Sequence, residues 1–266
     1  MKKLSELFIY PVKSLGGISV KEEEVTDRGL KYDRRWMLID STGRFLTQRA
    51  HPHMALIKVD VSRDTLFFRN IKNTDQFSVG IDETTGKKIN STVWDDQVEL
   101  LQVNTIADEW FSQNLNTRCK LAFMPEETKR LVDKSFAQND EITSLSDGYP
   151  FLIIGQASLD DLNSKMVEKV PMNRFRPNLV FTGGIPFEED TMKKFSISGI
   201  TFYSVKPCGR CVITTVDQNT AQKSDEPLRT LASYRTFGNK VNFGMNLLHE
   251  GNGTIKIGDE IIIVEK

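Results

Sequence analysis

The chain has 266 residues, 39% of them hydrophobic and 27% charged, with a formal net charge of −1. That length supports one large or two modest domains, and the near-neutral balance argues against nucleic acid or a membrane as a partner. Three cysteines are too few for a disulfide framework, and no run approaches the roughly 20 apolar residues that cross a bilayer, so a cytoplasmic protein is expected.

The N-terminus, MKKLSELFIYPVKS, opens with two lysines, but Glu6 interrupts its apolar run and Pro11 and Lys13 end it, unlike a signal peptide. RWMLID and RFLTQR read as short strands joined through Ser41-Thr42-Gly43, and HMALIKVDVSR and DTLFFRN continue in the same style. Residues 72–90 are polar and rich in turn formers, which predicts loops around short strands. In NTIADEWFSQNL the spacing of Ile106, Trp110 and Leu115 predicts a helix capped by Asn104 or Thr105. A second helix is expected where Ser158 and Asp161 resemble a capping box ahead of Leu159, Leu162 and Met166. NLVFTG, ISGITFYSV and CVITTV are strand-like again, and GTIKIGDEIIIVEK reads as two strands joined through Gly258-Asp259. Many short strands with a few helices predict a mainly β, α+β protein, a barrel or sandwich with helical insertions. A change of composition near residue 120 suggests a domain boundary.

Chemistry concentrates in VKPCGRCVITTVDQNT, residues 205–220, where Cys208 and Cys211 stand three apart. A thioredoxin-like pair needs a helix starting at the first cysteine, and the β-branched residues after Cys211 favour a strand. A structural zinc site needs four ligands, and the remaining candidates (Cys119, His51, His53 and His249) are scattered. Two small buried thiols at a strand entry form the plainest reading. Against it, Lys206 and Arg210 flank the pair and would favour a thiolate or gather an anion, while Pro207 and Gly209 describe a shaped loop. His51 and His53, in alternate positions, would share a face of a strand, yet read as structural or surface residues. Trp36, Trp94 and Trp110 are expected to pack in a core.

Several stretches, taken in order, carry a resemblance: LFIYPVKSLGGI, GLKYDRRWMLID, LSDGYPFLIIGQASLDDLN, FRPNLVFTG, KPCGRCVITTVD and NFGMNLLHEGNGTIKIGDEI. Together they resemble the MOSC proteins, named for the molybdenum cofactor sulfurase C-terminal domain, in the branch of the amidoxime-reducing components. The resemblance implies a β-rich MOSC N-terminal domain over about 1–124, followed by a MOSC β-barrel over 125–266. It implies a molybdenum cofactor whose metal is completed by the second cysteine of the pair, making Cys211 the metal ligand and catalytic residue. By the same match Lys13, Ser14, Arg34, Asp147, Gly148, Tyr149, Arg176, Asn178, Gly209 and Arg210 would hold the cofactor. A thiolate suits such a metal, and arginine forks or lysine charges suit the phosphate of a pterin.

Taken singly, each of these residues has a plainer reading. Arg34 and Arg35 would be solvated charges at a strand edge, Lys13 a surface residue after a proline turn, and Arg176 an extended residue before Pro177. Only their joint match to one cofactor's contacts lifts them above that. The implied activity is reduction of small N-hydroxylated compounds: amidoximes, hydroxylamines and N-hydroxylated bases. Some bacterial members add an iron–sulfur domain whose four cysteines are not found here, so electrons are expected from a separate iron–sulfur, flavin or haem protein. The rival reading is a sulfur carrier with a persulfide on Cys211, or a module that binds and delivers the cofactor. Sulfurases of this family pair the domain with a pyridoxal phosphate enzyme, but no lysine here sits where a Schiff base would be expected.

Overall fold

The computed structural model describes residues 1–266. Its centre is a closed barrel of seven strands: β1 (Lys2–Ile9), β2 (Phe151–Gly155), β3 (Leu179–Thr182), β4 (Lys194–Ile197), β5 (Ile200–Gly209), β6 (Lys240–Glu250) and β7 (Glu260–Glu265). Around the barrel the order is β2-β3-β1-β7-β4-β5-β6, and β6 closes it by pairing Phe151 of β2 with Leu247. Only β2 and β3 run parallel, so their connection carries a helix, α2 (Gln156–Ser164). Alternate residues of the strands point inward and fill the barrel with Leu4, Leu7, Phe151, Leu179, Phe195 and Phe202. The chain's first strand is therefore a stave of a barrel otherwise made after residue 150.

Between β1 and β2 the chain builds a second β-rich layer around its own apolar core. One sheet orders strands Trp36–Ile39, Lys120–Phe123, Asp96–Gln102 and Lys88–Val93, and another joins Ile57–Ser62, Thr65–Asn70 and Gln76–Gly80. The mainly β architecture with helical insertions matches the expectation. No helix is long and apolar enough to cross a membrane.

Several local expectations need correction. Helix α1 (Thr105–Leu115) is capped by Asn104, whose side-chain oxygen accepts from the Ala107 N–H at 2.6 Å. Its buried face is Ala107 and Phe111, whereas Ile106 is 65% exposed. Both registers satisfy helical spacing, and the edge-on contact of Phe111 with Phe68, 5.0 Å between ring centroids, fixes the observed one. Helix α2 starts two residues before Ser158. That serine caps nothing; it is buried, donating to Glu189 Oε2 at 2.8 Å and accepting from the Phe187 N–H at 2.7 Å. Residues Val212–Thr215 form a short 3-10 turn with Cys211 at its start, neither the strand the β-branched run suggested nor an α-helix. His51 and His53 lie at the start of another such turn, Pro52–Leu56, so the strand-face argument does not apply to them.

Candidate functional site

All eleven residues singled out from the sequence line one cavity of about 540 Å³. The wall is assembled from distant segments: the turn after β1, the loop before Trp36, the 147–149 loop ahead of β2, the approach to β3, and the end of β5. Basic groups outnumber acidic ones there. Besides Lys13, Arg34, Arg176 and Arg210 the wall carries Arg49, Lys206 and Lys240, against the one carboxylate of Asp147. A chain of nearly zero net charge thus concentrates positive charge in a concave site, where it is screened less than on open surface.

The plain readings of these residues fail on burial and backbone. Lys13 is buried, as is Arg35, and the side chain of Arg34 is only 13% exposed. Arg176 is not extended: it takes φ 55°, and Ser14 and Arg34 share the left-handed region with φ 67° and 51°. For a residue with a Cβ that conformation costs roughly 1–2 kcal/mol, and such strain collects at functional sites. Burial holds the arginines in place through fixed partners. Arg34 Nη1 donates to Asp33 Oδ2 at 2.6 Å and to Asn178 Oδ1 at 3.3 Å, and Arg176 Nη1 donates to the Leu15 carbonyl at 2.7 Å. Both guanidiniums lie over the ring of Tyr10, at 4.5 and 4.2 Å from its centroid.

These contacts set the charges. Burial works against the Arg34 cation, but Asp33, Tyr10 and Asp147 together outweigh it and raise the group above its ordinary value. Arg176 is ion-paired with no carboxylate, so burial pulls it down to about 10, with Tyr10 opposing and Arg34 adding to the fall. Burial pushes Tyr10 up to about 12. Lys13 is lowered by burial, with Asp147 at 2.7 Å partly offsetting it. The Asp147 side chain is 70% exposed, but the protein around it still acts upward through desolvation; Lys13, Arg34 and Arg49 prevail and hold the carboxyl far below its usual range. The wall therefore holds Arg34 and Arg176 as cations at neutral pH, beside an ionised aspartate that cannot serve as a proton donor.

The two cysteines part company. Between β5 and β6 the register slips twice, between Ser204 and Lys206 and between Pro207 and Gly209, so the strand bends where it meets the cavity. Bulges of this kind re-aim side chains beside a site. Cys208 is half-buried against the apolar cluster that includes Phe175 and Phe243, and its sulfur accepts from Arg210 Nη1 at 2.9 Å. Cys211 is exposed on the cavity wall, and only its backbone carbonyl is engaged, by the Thr214 N–H and hydroxyl at 3.1 and 3.0 Å. Arg210 also donates to the Phe175 carbonyl, and its Nε is buried without a partner.

This donor set discriminates between metals. The structure gathers no group of three His, Cys, Asp or Glu residues close enough to hold an ion. A metal here would have one protein thiolate and would bring its other donors with it. An anionic cofactor carrying its own sulfur ligands fits the one exposed and unengaged thiol, the excess of cations and the unpartnered guanidinium nitrogen.

Sequence reasoning missed part of the wall. Phe45 and Arg49 line the cavity, and so does Asn246, which donates to the Lys206 carbonyl at 3.1 Å. No local signal marks them, because their relevance depends on contacts across the fold. Trp94 was expected in a core but is 43% exposed, and its Nε1 donates to Asp147 Oδ1 at 3.3 Å. Trp36 is buried and Trp110 packs beside the Phe68 cluster as expected.

Comparison with known proteins places these features in context. The MOSC N-terminal beta barrel domain matches residues 1–118 and the MOSC domain matches 140–262. The chain is 32% identical over 279 residues to mitochondrial amidoxime-reducing component 1 of Mus musculus, covering 98% of this chain and 82% of the relative. The human counterpart is also 32% identical, with the same coverage. A molybdenum cofactor sulfurase of Oryza sativa subsp. japonica is 33% identical over 93% of this chain, but the match spans only 32% of that longer protein. Among solved structures, the YUAD protein from Bacillus subtilis aligns over 98% of this chain and 94% of its own, at 13% identity and a TM-score of 0.45.

Proposed function

The chain belongs to the MOSC-domain family, and from that premise we propose that it is a molybdenum-cofactor oxidoreductase that reduces small N-hydroxylated compounds with electrons from a separate redox protein. The observation that carries this reading is the convergence of the eleven residues on one cationic cavity in which Cys211 offers an exposed thiol. The named activity of the amidoxime-reducing relatives supports the same chemistry.

In this reading Arg34, Arg176, Lys13, Ser14, Gly209 and Arg210 would hold the cofactor, and the Cys211 thiolate would be the protein's ligand to its metal. The bound cofactor supplies the electron and oxygen-atom transfer. Turning N–OH into N–H takes up two electrons and two protons and releases water. The chain's own residues orient the cofactor before substrate arrives, since the arginines are fixed by Asp33, Asn178 and backbone carbonyls. Tyr149, whose phenol burial pushes up to about 12, stays protonated on the wall and can donate a hydrogen bond. Asp147 stays ionised and orients Lys13.

Metal analysis tests the reading most directly. Wild-type, Cys211→Ala and Cys208→Ala proteins would be made in a host that synthesises the cofactor, then assayed for amidoxime reduction with reduced viologen. The expected result is near-stoichiometric molybdenum and turnover in the wild type and in Cys208→Ala, with turnover abolished in Cys211→Ala. Sulfane sulfur on Cys211 without molybdenum would favour the sulfur-carrier reading instead. Bound zinc would contradict both.

A further inference from the structure

Trp94 has features that neither packing nor the cofactor site explains. It occupies the first position of the two-residue loop between Lys88–Val93 and Asp96–Gln102, whose register pairs Val93 with Asp96. Its φ is 57°. Glycine, asparagine or aspartate usually fills such a position, and a bulky aromatic there is strained. The ring is nevertheless held from several directions. The Arg49 guanidinium lies over it at 4.3 Å, Phe45 meets it edge-on at 5.4 Å, and its Nε1 reaches Asp147. Phe45 in turn lies under the Lys13 ammonium, 5.0 Å from its ring centroid. Cation and ring thus alternate from Lys13 through Phe45 and Trp94 to Arg49, and all but Trp94 line the cavity.

Arg49 also differs from the arginines of the cofactor site. It makes no ion pair with a carboxylate, and the one side-chain hydrogen bond it donates is a long one of 3.4 Å to Thr47 Oγ1. Arg49 lies over Trp94 and also lines the cavity, and a guanidinium stacks well on delocalised planes. We propose that Arg49 and Phe45 form a stacking wall that selects N-hydroxylated substrates whose N–OH is conjugated to a planar aromatic or heteroaromatic body, and that Trp94 is the positioning residue that holds this wall. This specificity rests on the reductase reading above, but the wall can be tested separately from turnover.

The test compares an aryl amidoxime with a small aliphatic hydroxylamine on cofactor-loaded wild type, Trp94→Gly and Trp94→Phe. Equilibrium binding is measured by calorimetry, and KM and kcat by viologen-linked reduction. The proposal expects about a tenfold weaker Kd and a higher KM for the aryl compound in Trp94→Gly, the size of one lost stacking contact. With every value normalised to bound molybdenum, binding of the aliphatic compound should stay within twofold, and Trp94→Phe should recover most of the aryl preference. Because glycine relieves the strained loop, the Tm of Trp94→Gly should be no lower than that of wild type. A merely structural tryptophan would instead lower the Tm and weaken both compounds alike, which would overturn the proposal. So would unchanged aryl binding, or absence of aryl binding in the wild type. If binding behaves as expected but nothing is reduced, the wall stands and the reductase reading falls.

Discussion

Arg34 and Arg176 cover one buried phenol ring, and only Arg34 has a carboxylate beside it. Asp33 is 1% exposed, accepts from the Tyr10 N–H at 2.8 Å and pairs with Arg34, so it ties the β1 turn to the cavity wall. Replacing it with asparagine leaves a guanidinium without its counter-charge beside a second one, in a site that already pulls Arg176 down. Breaking a buried pair from one side costs roughly 3–5 kcal/mol. Asp33→Asn should lose about that much stability in urea titrations, and Arg34→Met in the same chain should recover part of the loss. A change below 1 kcal/mol would mean the pair is not what holds Arg34. None of this was legible locally. Lys13 and Arg34 each read alone as a surface charge, because burial of a lysine or arginine depends on partners more than a hundred positions away, such as Leu145 for Lys13 and Asn178 for Arg34.

Among the elements, α2 and the short turn Glu188–Asp190 that packs on it share one buried carboxyl. Glu189 is fully buried, with Oε2 accepting from Ser158 and Oε1 without a partner. Burial raises it to about 7 from the ordinary 4.5. Between those values the folded protein carries a proton the unfolded chain has lost. The stability this group contributes is therefore full below pH 4.5 and lost as pH rises through 7, about 3 kcal/mol in all. Glu189→Gln, neutral at every pH, should remove that decline. Urea midpoints between pH 5 and 8 should fall in the wild type and run flatter in the variant; parallel curves would contradict the assignment. The Ser158 signal that suggested a capping box was thus real in chemistry but wrong in role. A buried hydroxyl and a capping hydroxyl look the same in sequence until the helix start is known. Elements with strong periodicity were legible, among them the hairpin of Ile57–Ser62 and Thr65–Asn70 and the cap of α1. The short turn after Cys211 was not, since four residues carry too little pattern to outweigh β-branched propensity.

At the scale of the whole molecule, the fold class was legible from strand density and the site from a resemblance spread along the chain, but barrel closure was visible in neither. β1 lies between β3 and β7, pairing Leu7 with Leu179 and Lys3 with Glu260, although residues 10–150 separate it from the next stave. The matched MOSC domain, residues 140–262, does not include it. Leu4, Leu7 and Ile9 are all buried in the barrel core. At about 1.5–3 kcal/mol per buried aliphatic side chain they contribute roughly 5–9 kcal/mol, comparable to the 5–15 kcal/mol that holds an ordinary domain together. Removing β1 would also leave β3 and β7 as open edges, a template for aggregation. Residues 125–266 expressed alone should therefore aggregate or give a poorly dispersed amide spectrum. The same piece preceded by residues 1–20 on a glycine–serine linker should disperse, because the missing stave is restored without the rest of the N-terminal layer. A well-dispersed spectrum from 125–266 alone would show that the barrel closes without β1. Failure of both pieces would mean that the N-terminal layer supplies more than a strand, and the turn at Lys13–Leu15, where Arg176 and Gln48 meet the backbone, is where that support would act.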